Sequence, residues 1–227
     1  MSNWHGDRVR KVVLWCVAAI VVLVLFVQAT RMVLHGREGA RRSNVVGRLY
    51  QVAFMIRNYE GAEGAPPPVF STSPEGEKLL SWRALVFLFD GPDGNLVGVR
   101  LDEPWNSSTN RIAAARNSDK SSYFSFPNSQ PDSTAQILAV VGPNSLWDAT
   151  TGLPKGKLKE QSEMVMLVAR DTAKFHWMEP RDIHEDDLRR LLDTGEVIFG
   201  ISTLGKYGIV TTRDGRLAID PNYREAF

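Results

Sequence analysis

The sequence predicts an α+β fold in which a long N-terminal helix, first apolar and then amphipathic, packs on a mostly antiparallel sheet. Three observations carry this expectation. Val12 to Ala29 reads V-V-L-W-C-V-A-A-I-V-V-L-V-L-F-V-Q-A, without a charge and with Gln28 as its one polar side chain. At ~1.5 Å per residue the run makes a helix of roughly 27 Å, close to the hydrocarbon thickness of a bilayer. Val45, Leu49, Val52, Ile56 and Tyr59 then recur at spacings of four and three, the stripe of a helix with one buried face, and no proline precedes Pro66 to break its axis. Beyond the prolines, short apolar runs alternate with Gly, Pro, Asn and Asp clusters, which is the pattern of short strands joined by turns.

Taken in order, residues 1–11 form a short basic tail, 12–34 a transmembrane helix, 35–64 its continuation and 65–227 an exported head. Arg8, Arg10 and Lys11 precede the run, and Arg31, Arg37, Arg41, Arg42 and Arg48 follow it, so a plain count of positive charges favours an external N-terminus. A short basic tail followed at once by an apolar run is nevertheless what the export machinery reads. The expectation is therefore a single-pass protein with a cytoplasmic N-terminus and a head in the periplasm or at the cell surface. Val27-Gln28-Ala29 fits the small-residue pattern of a cleaved signal poorly, which favours retention as an anchor. The formal net charge of +1 gives no field for a polyanion and argues against nucleic acid as a partner. The single cysteine, Cys16, lies in the apolar run, so the head has neither a disulfide nor a thiol ligand.

The continuation helix is expected to stop in Gly61-Ala-Glu-Gly64-Ala-Pro66-Pro-Pro68. Trp82 to Phe89 then reads as a buried strand, returned through a turn at Gly91 to Asn95 and a second arm from Leu96 to Leu101. Asn106 or Ser107 can cap a short helix running to Arg116. Ser118 to Thr134, rich in Ser, Asn, Asp and Pro, reads as a mobile loop. Gln136 to Val141 and Glu163 to Ala169 read as further strands. Gly208 to Thr212 and Arg216 to Ile219 flank Asp214-Gly215, a hairpin signal because glycine tolerates positive φ.

Several blocks resemble a known family. Leu49-Tyr-Gln51, Asn58-Tyr59 and Gly64 with its prolines are followed by Leu80-Ser81-Trp82-Arg83 and by Leu101-Asp102-Glu103-Pro104-Trp105-Asn106 with Asn110. Val141-Gly142-Pro143, Trp177-x-Glu179-Pro180-x-Asp182 and Asp214-Gly215 complete the series. Their order over residues 42–217 resembles the prepilin-like, type II pseudopilin-like family carrying domain of unknown function 1559, of the H-X9-DG type. The resemblance implies a pilin-like fold and makes Asn58, Tyr59, Trp82, Asp102, Glu103, Pro104, Trp105, Asp214 and Gly215 framework positions. It also implies a homo-oligomer, or assembly with other pilin-like subunits, through the N-terminal helix. The chain lacks the family's G-F-T-L-I-E cleavage signal and has Leu204 where the family places its C-terminal histidine.

Candidate chemistry is sparse. His176, Glu179 and His184 could ligate a divalent metal, and Asp90, Asp93 and Asp102 could hold calcium, but neither set has the spacing of a metal motif. Asp182 with Glu185 three residues later instead reads as a capping box for a helix through Leu188, Leu191 and Leu192. Gly152 to Lys157 is one residue short of a phosphate loop, and Ser202 has no nucleophile-elbow context. Trp82, Trp105, Trp147 and Trp177 could stack on sugars, although indoles of this kind are more often core. No cofactor is called for and no catalytic set can be assembled. The expected function is a non-enzymatic, membrane-anchored structural or interaction protein of the cell envelope. The alternative is an envelope ligand-binding module, for a glycan or a divalent metal, on a single-helix tether.

Overall fold

The computed structural model describes residues 4–89, 96–126, 134–160, 163–170 and 172–222, with the side chains of 4–14, 16–19, 34–38, 41–42, 89 and 160 outside the described set. The chain is mixed α and β with antiparallel-rich sheets, in two compact units, Met1–Ser43 and Asn44–Phe227. In the first unit the backbone is helical from Trp4, within α1 (Trp4–Glu63). Every residue from Ile20 to Val27 is apolar and between 41 and 66% exposed. Among the described residues no helix is long and apolar enough to cross a membrane, and part of the Val12 to Ala29 run, residues 12–14 and 16–19, lies outside the described side chains.

In the second unit the later part of α1 buries the expected stripe. Val45, Leu49, Val52 and Ile56 are buried, together with Ala53 and Met55, and Tyr59 packs half-buried against the same core. The helix ends at Glu63, with the Gly64 amide donating to Glu60 O at 2.8 Å. β1 (Phe70–Thr72) and β2 (Lys78–Ser81) form a small antiparallel pair.

The stretch expected to continue as a buried strand is instead helical. α2 (Trp82–Leu85) leads into a 3-10 turn at Val86–Phe89. Ser81 Oγ accepts from the Arg83 amide at 3.2 Å and so caps the turn. An apolar run without alternation fits a helix buried on every side as well as it fits a buried strand. The expected return strand is also absent: Leu96 to Leu101 is irregular, while its turn, including Asp90 and Asp93, lies outside the described residues. Two carboxamides take the place of a partner strand. Asn117 Oδ1 accepts from Val97 N at 3.1 Å and its Nδ2 donates to Val97 O at 3.0 Å. Asn110 does the same for Arg100 at 2.8 and 2.9 Å.

Asn110 lies in α3 (Ser108–Arg116), which Ser107 caps as expected, its Oγ accepting from Asn110 N at 3.1 Å. Ser118 to Phe126 departs from the expected loop, because α4 (Ser118–Ser121) forms and Phe124 and Phe126 are buried. The remainder of that stretch as far as residue 133 lies outside the described residues. β3 (Thr134–Ala135) pairs with β6 (Phe175–His176).

The main sheet contains β4 (Ile137–Val141), β5 (Val165–Ala169), β7 (Ile183–His184), β8 (Phe199–Ser202), β9 (Tyr207–Arg213) and β10 (Arg216–Asp220), in the order β10-β9-β8-β5-β4-β7. β4 and β7 run parallel, and the other neighbouring strands of this sheet run antiparallel. Asp214 and Gly215 have φ of 50° and 72°, the pair of positive values that a two-residue hairpin of primed type needs. A Cβ at Gly208 would lie 1.9 Å from Asp220 O, so the bare glycine lets the β10 backbone approach β9 there. α5 (Glu185–Asp193) follows β7 and buries Leu188 fully and Leu191 and Leu192 in part.

Candidate functional site

Three segments of the second unit, around Arg83, Ile137 and Asp182, converge on a buried ion pair. Arg83 interrupts an otherwise apolar run, and α2 carries its side chain inward, where it is fully buried. Nη1 donates to Ser81 Oγ at 2.7 Å. Nε and Nη2 both donate to Ile137 O, at 2.9 and 2.7 Å. Nη2 also reaches Asp182 Oδ1 at 2.9 Å and Arg181 O at 3.2 Å. Asp182 Oδ1 accepts in addition from Trp82 Nε1 at 3.0 Å and from the Ala139 amide at 2.8 Å. The guanidinium carbon lies 4.8 Å from the ring centroids of Trp82 and of Phe175.

Burial pushes the Asp182 carboxyl up from its ordinary value, opposed first by the Arg83 charge and then by the Trp82 and Ala139 donors. Burial likewise lowers the Arg83 guanidinium, with Asp182 and Glu179 opposing it.

The position of this pair explains its chemistry. Gln136 O accepts from Arg170 N toward β5, so by alternation Ile137 and Ala139 present their main-chain groups to the opposite side. There β7 pairs only with Val140 and Val141. Phe124 O takes the Ile137 amide, Arg83 takes the Ile137 carbonyl and Asp182 takes the Ala139 amide. The ion pair thus completes the ladder where β7 is too short, and its donors and acceptor are directed to structural partners.

A cleft of ≈ 580 Å³ opens beside it, lined in part by Arg170, Lys174, Arg181, Asp182, Asp187 and Arg190. The three arginines there are paired: Arg170 bridges Glu196 at 2.8 Å, Arg181 reaches Glu179 at 3.0 Å and Arg190 bonds Asp187. Such a lining suits a small ligand bearing both signs of charge.

Among the described residues, those predicted as site residues from the sequence do not come together. His176 is half-buried and stacked on Trp105, with ring centroids 5.2 Å apart, and its Nδ1 accepts from Met178 N at 3.2 Å. Burial lowers its pKa from the ordinary value, and the Arg111 charge adds to this. Glu179 pairs with Arg181. His184, rather than Asp182, caps α5, its Nδ1 accepting from Asp186 N at 3.3 Å. The expected capping box is therefore corrected: Asp182 is drawn into the core by Arg83, and Glu185 is buried with Oε1 accepting from Asn144 N at 3.3 Å. Asp102 is exposed, while Asp90 and Asp93 lie outside the described residues. Among the described residues no group of three or more His, Cys, Asp or Glu could hold a metal ion.

Of the framework positions, Trp82 is buried, as are Trp147 and Trp177, while Trp105 is half-buried. Asn58 is exposed and Tyr59 half-buried. Glu103 and Pro104 offer their carbonyls to Asn110 Nδ2, at 3.0 and 3.1 Å. Asp214 and Gly215 form the hairpin turn, and Leu204 is exposed. No family model, curated protein or solved structure matches the chain.

Proposed function

We propose that the chain is a membrane-anchored, non-enzymatic structural or interaction protein of the cell envelope, resembling a pseudopilin, with a cytoplasmic N-terminus and an exported head. One observation carries the reading. Eight consecutive residues, Ile20 to Val27, are all apolar and all exposed, so they cover more than two full turns of α1 and leave no polar face for water. A helix that is hydrophobic all round belongs in lipid or in a protein core. The pseudopilin part of the reading rests on the order of the sequence blocks and on a long helix followed by an antiparallel-rich head.

The burial of Trp82, Trp147 and Trp177 removes most of the stacking surface that a glycan-binding alternative needs. Alkaline carbonate extraction of membranes from cells making the full chain tests the proposal. The protein is expected in the pellet, and release of the bulk of it into the supernatant would contradict an integral anchor.

A further inference from the structure

Strand β10 ends the main sheet, and its outer side has no main-chain partner among the described residues. Its register fixes which groups face outward. Arg216 pairs with Arg213 across the two-residue turn, Ala218 with Thr211 and Asp220 with Ile209. A two-residue hairpin closes on a hydrogen-bonded pair, so Arg216, Ala218 and Asp220 direct their N–H and C=O toward β9. The amides and carbonyls of Leu217 and Ile219 therefore point outward, an open edge five residues long.

The strand reads R-L-A-I-D, and this order is self-complementary when run against itself antiparallel about Ala218. In that register Arg216 of one copy faces Asp220 of the other, Leu217 faces Ile219, and Ala218 faces Ala218. The outward-pointing residues Leu217 and Ile219 become the hydrogen-bonded pairs, on both sides of the axis. Arg216 and Asp220 fall at non-bonded pairs, where side chains of adjacent strands lie closest. The smallest side chain of the strand, Ala218, sits on the axis where the two backbones approach.

Both charges are open to such pairing. Arg216 is exposed and Asp220 half-buried, and among the described residues neither has an ion-pair partner in its own chain. Clefts of ≈ 230 and ≈ 380 Å³ border the strand, lined by Leu217 together with Glu163, Met164 and Val165.

We propose that the head carries a homodimerisation edge: β10 pairs with β10 of a second copy across a two-fold axis through Ala218, continuing the sheet from one head into the other. This is an isologous contact, in which one patch complements itself. It does not rest on the membrane reading and uses a surface other than the N-terminal helix.

Disulfide trapping of the full chain in detergent tests it, with Cys16→Ala as background because Cys16 is the only native thiol. At a non-bonded antiparallel pair the Cα atoms are about 4.5 Å apart, within the range a disulfide spans. Ala218→Cys is expected to give a covalent dimer under mild oxidation, while Arg213→Cys, exposed but on the inner strand, is expected to give at least several-fold less. Arg216→Asp places like charges together at both ends of the contact and is expected to weaken dimerisation on the order of tenfold. The double variant Arg216→Asp/Asp220→Arg is expected to restore it. Equal trapping at 213 and 218, or a charge reversal that the exchanged pair does not rescue while circular dichroism shows a folded head, would overturn the proposal.

Discussion

At the scale of single residues, the head depends on a few polar side chains that do the work of backbone. Asp182 has three donors on one oxygen, from Arg83, Trp82 and Ala139. Asp182→Ala strands a buried guanidinium and an amide together, so it is expected to cost about 3–5 kcal/mol. Asp182→Asn retains an acceptor for the Trp82 and Ala139 donors and is expected to cost clearly less; urea denaturation of the two variants checks the order. His176 makes a second prediction. Its folded pKa is lowered below about 6.5, first by burial and then by Arg111, and a protonated Nδ1 could no longer accept from the Met178 amide. As pH falls below about 6.5 the unfolded chain binds this proton first, so stability falls with pH in the window down to the folded pKa. His176→Gln is expected to flatten that part of a stability profile measured between pH 7.5 and 5. The role of Arg83 was half legible: a charge inside W-R-A-L-V-F-L-F must either break the core or be paired there. Its partner, 99 positions away, was not, because nothing local distinguishes a carboxylate drawn into a core from one at a helix cap.

At the scale of elements, the sequence patterns held where one local rule governs and failed where a distant group takes over. The stripe from Val45 to Ile56, the Ser107 cap and the Asp214-Gly215 hairpin all follow from periodicity or turn chemistry within a few residues. The strands expected at Trp82 to Phe89 and Leu96 to Leu101 failed together. The first satisfies its main chain within helical turns, and the second gives its hydrogen bonds to side chains, so no pairing remained to make a hairpin. Asn110 is the clearest case, since Nδ2 donates to the carbonyls of Arg100, Glu103 and Pro104 while Oδ1 accepts from Arg100 N. Removing this clamp leaves several main-chain groups without partners, each worth about 0.5–1.5 kcal/mol when paired. Asn110→Ala is expected to destabilise the head by roughly 2–4 kcal/mol. Asn110→Asp keeps the size and the acceptor but sets a carboxylate against three carbonyls, and is expected to be no better than alanine at neutral pH. Thermal unfolding of the two variants decides whether the carboxamide's donors or its volume hold the loop.

At the scale of the whole molecule, the apolar run of α1 allows a graded prediction about membrane retention. Between Val12 and Ala29 there are twelve Leu, Ile, Val and Phe residues. At ~0.3–0.6 kcal/mol each near the centre of a spanning helix, they favour insertion by roughly 4–7 kcal/mol. One arginine at the centre costs ~2.5–3.5 kcal/mol on the same scale, less than the run supplies. Leu23→Arg is therefore expected to remain largely in the carbonate-resistant pellet. Two arginines cost ~5–7 kcal/mol and also remove two apolar residues, which brings the sum to zero or beyond. Val21→Arg/Leu25→Arg, four residues apart on one helix face, is expected to move most of the protein to the extractable fraction. A helix that serves instead to pack on protein predicts a different pattern. There a single buried arginine would already act as an unpaired charge and unfold the contact, so Leu23→Arg and the double variant would be lost together rather than in sequence.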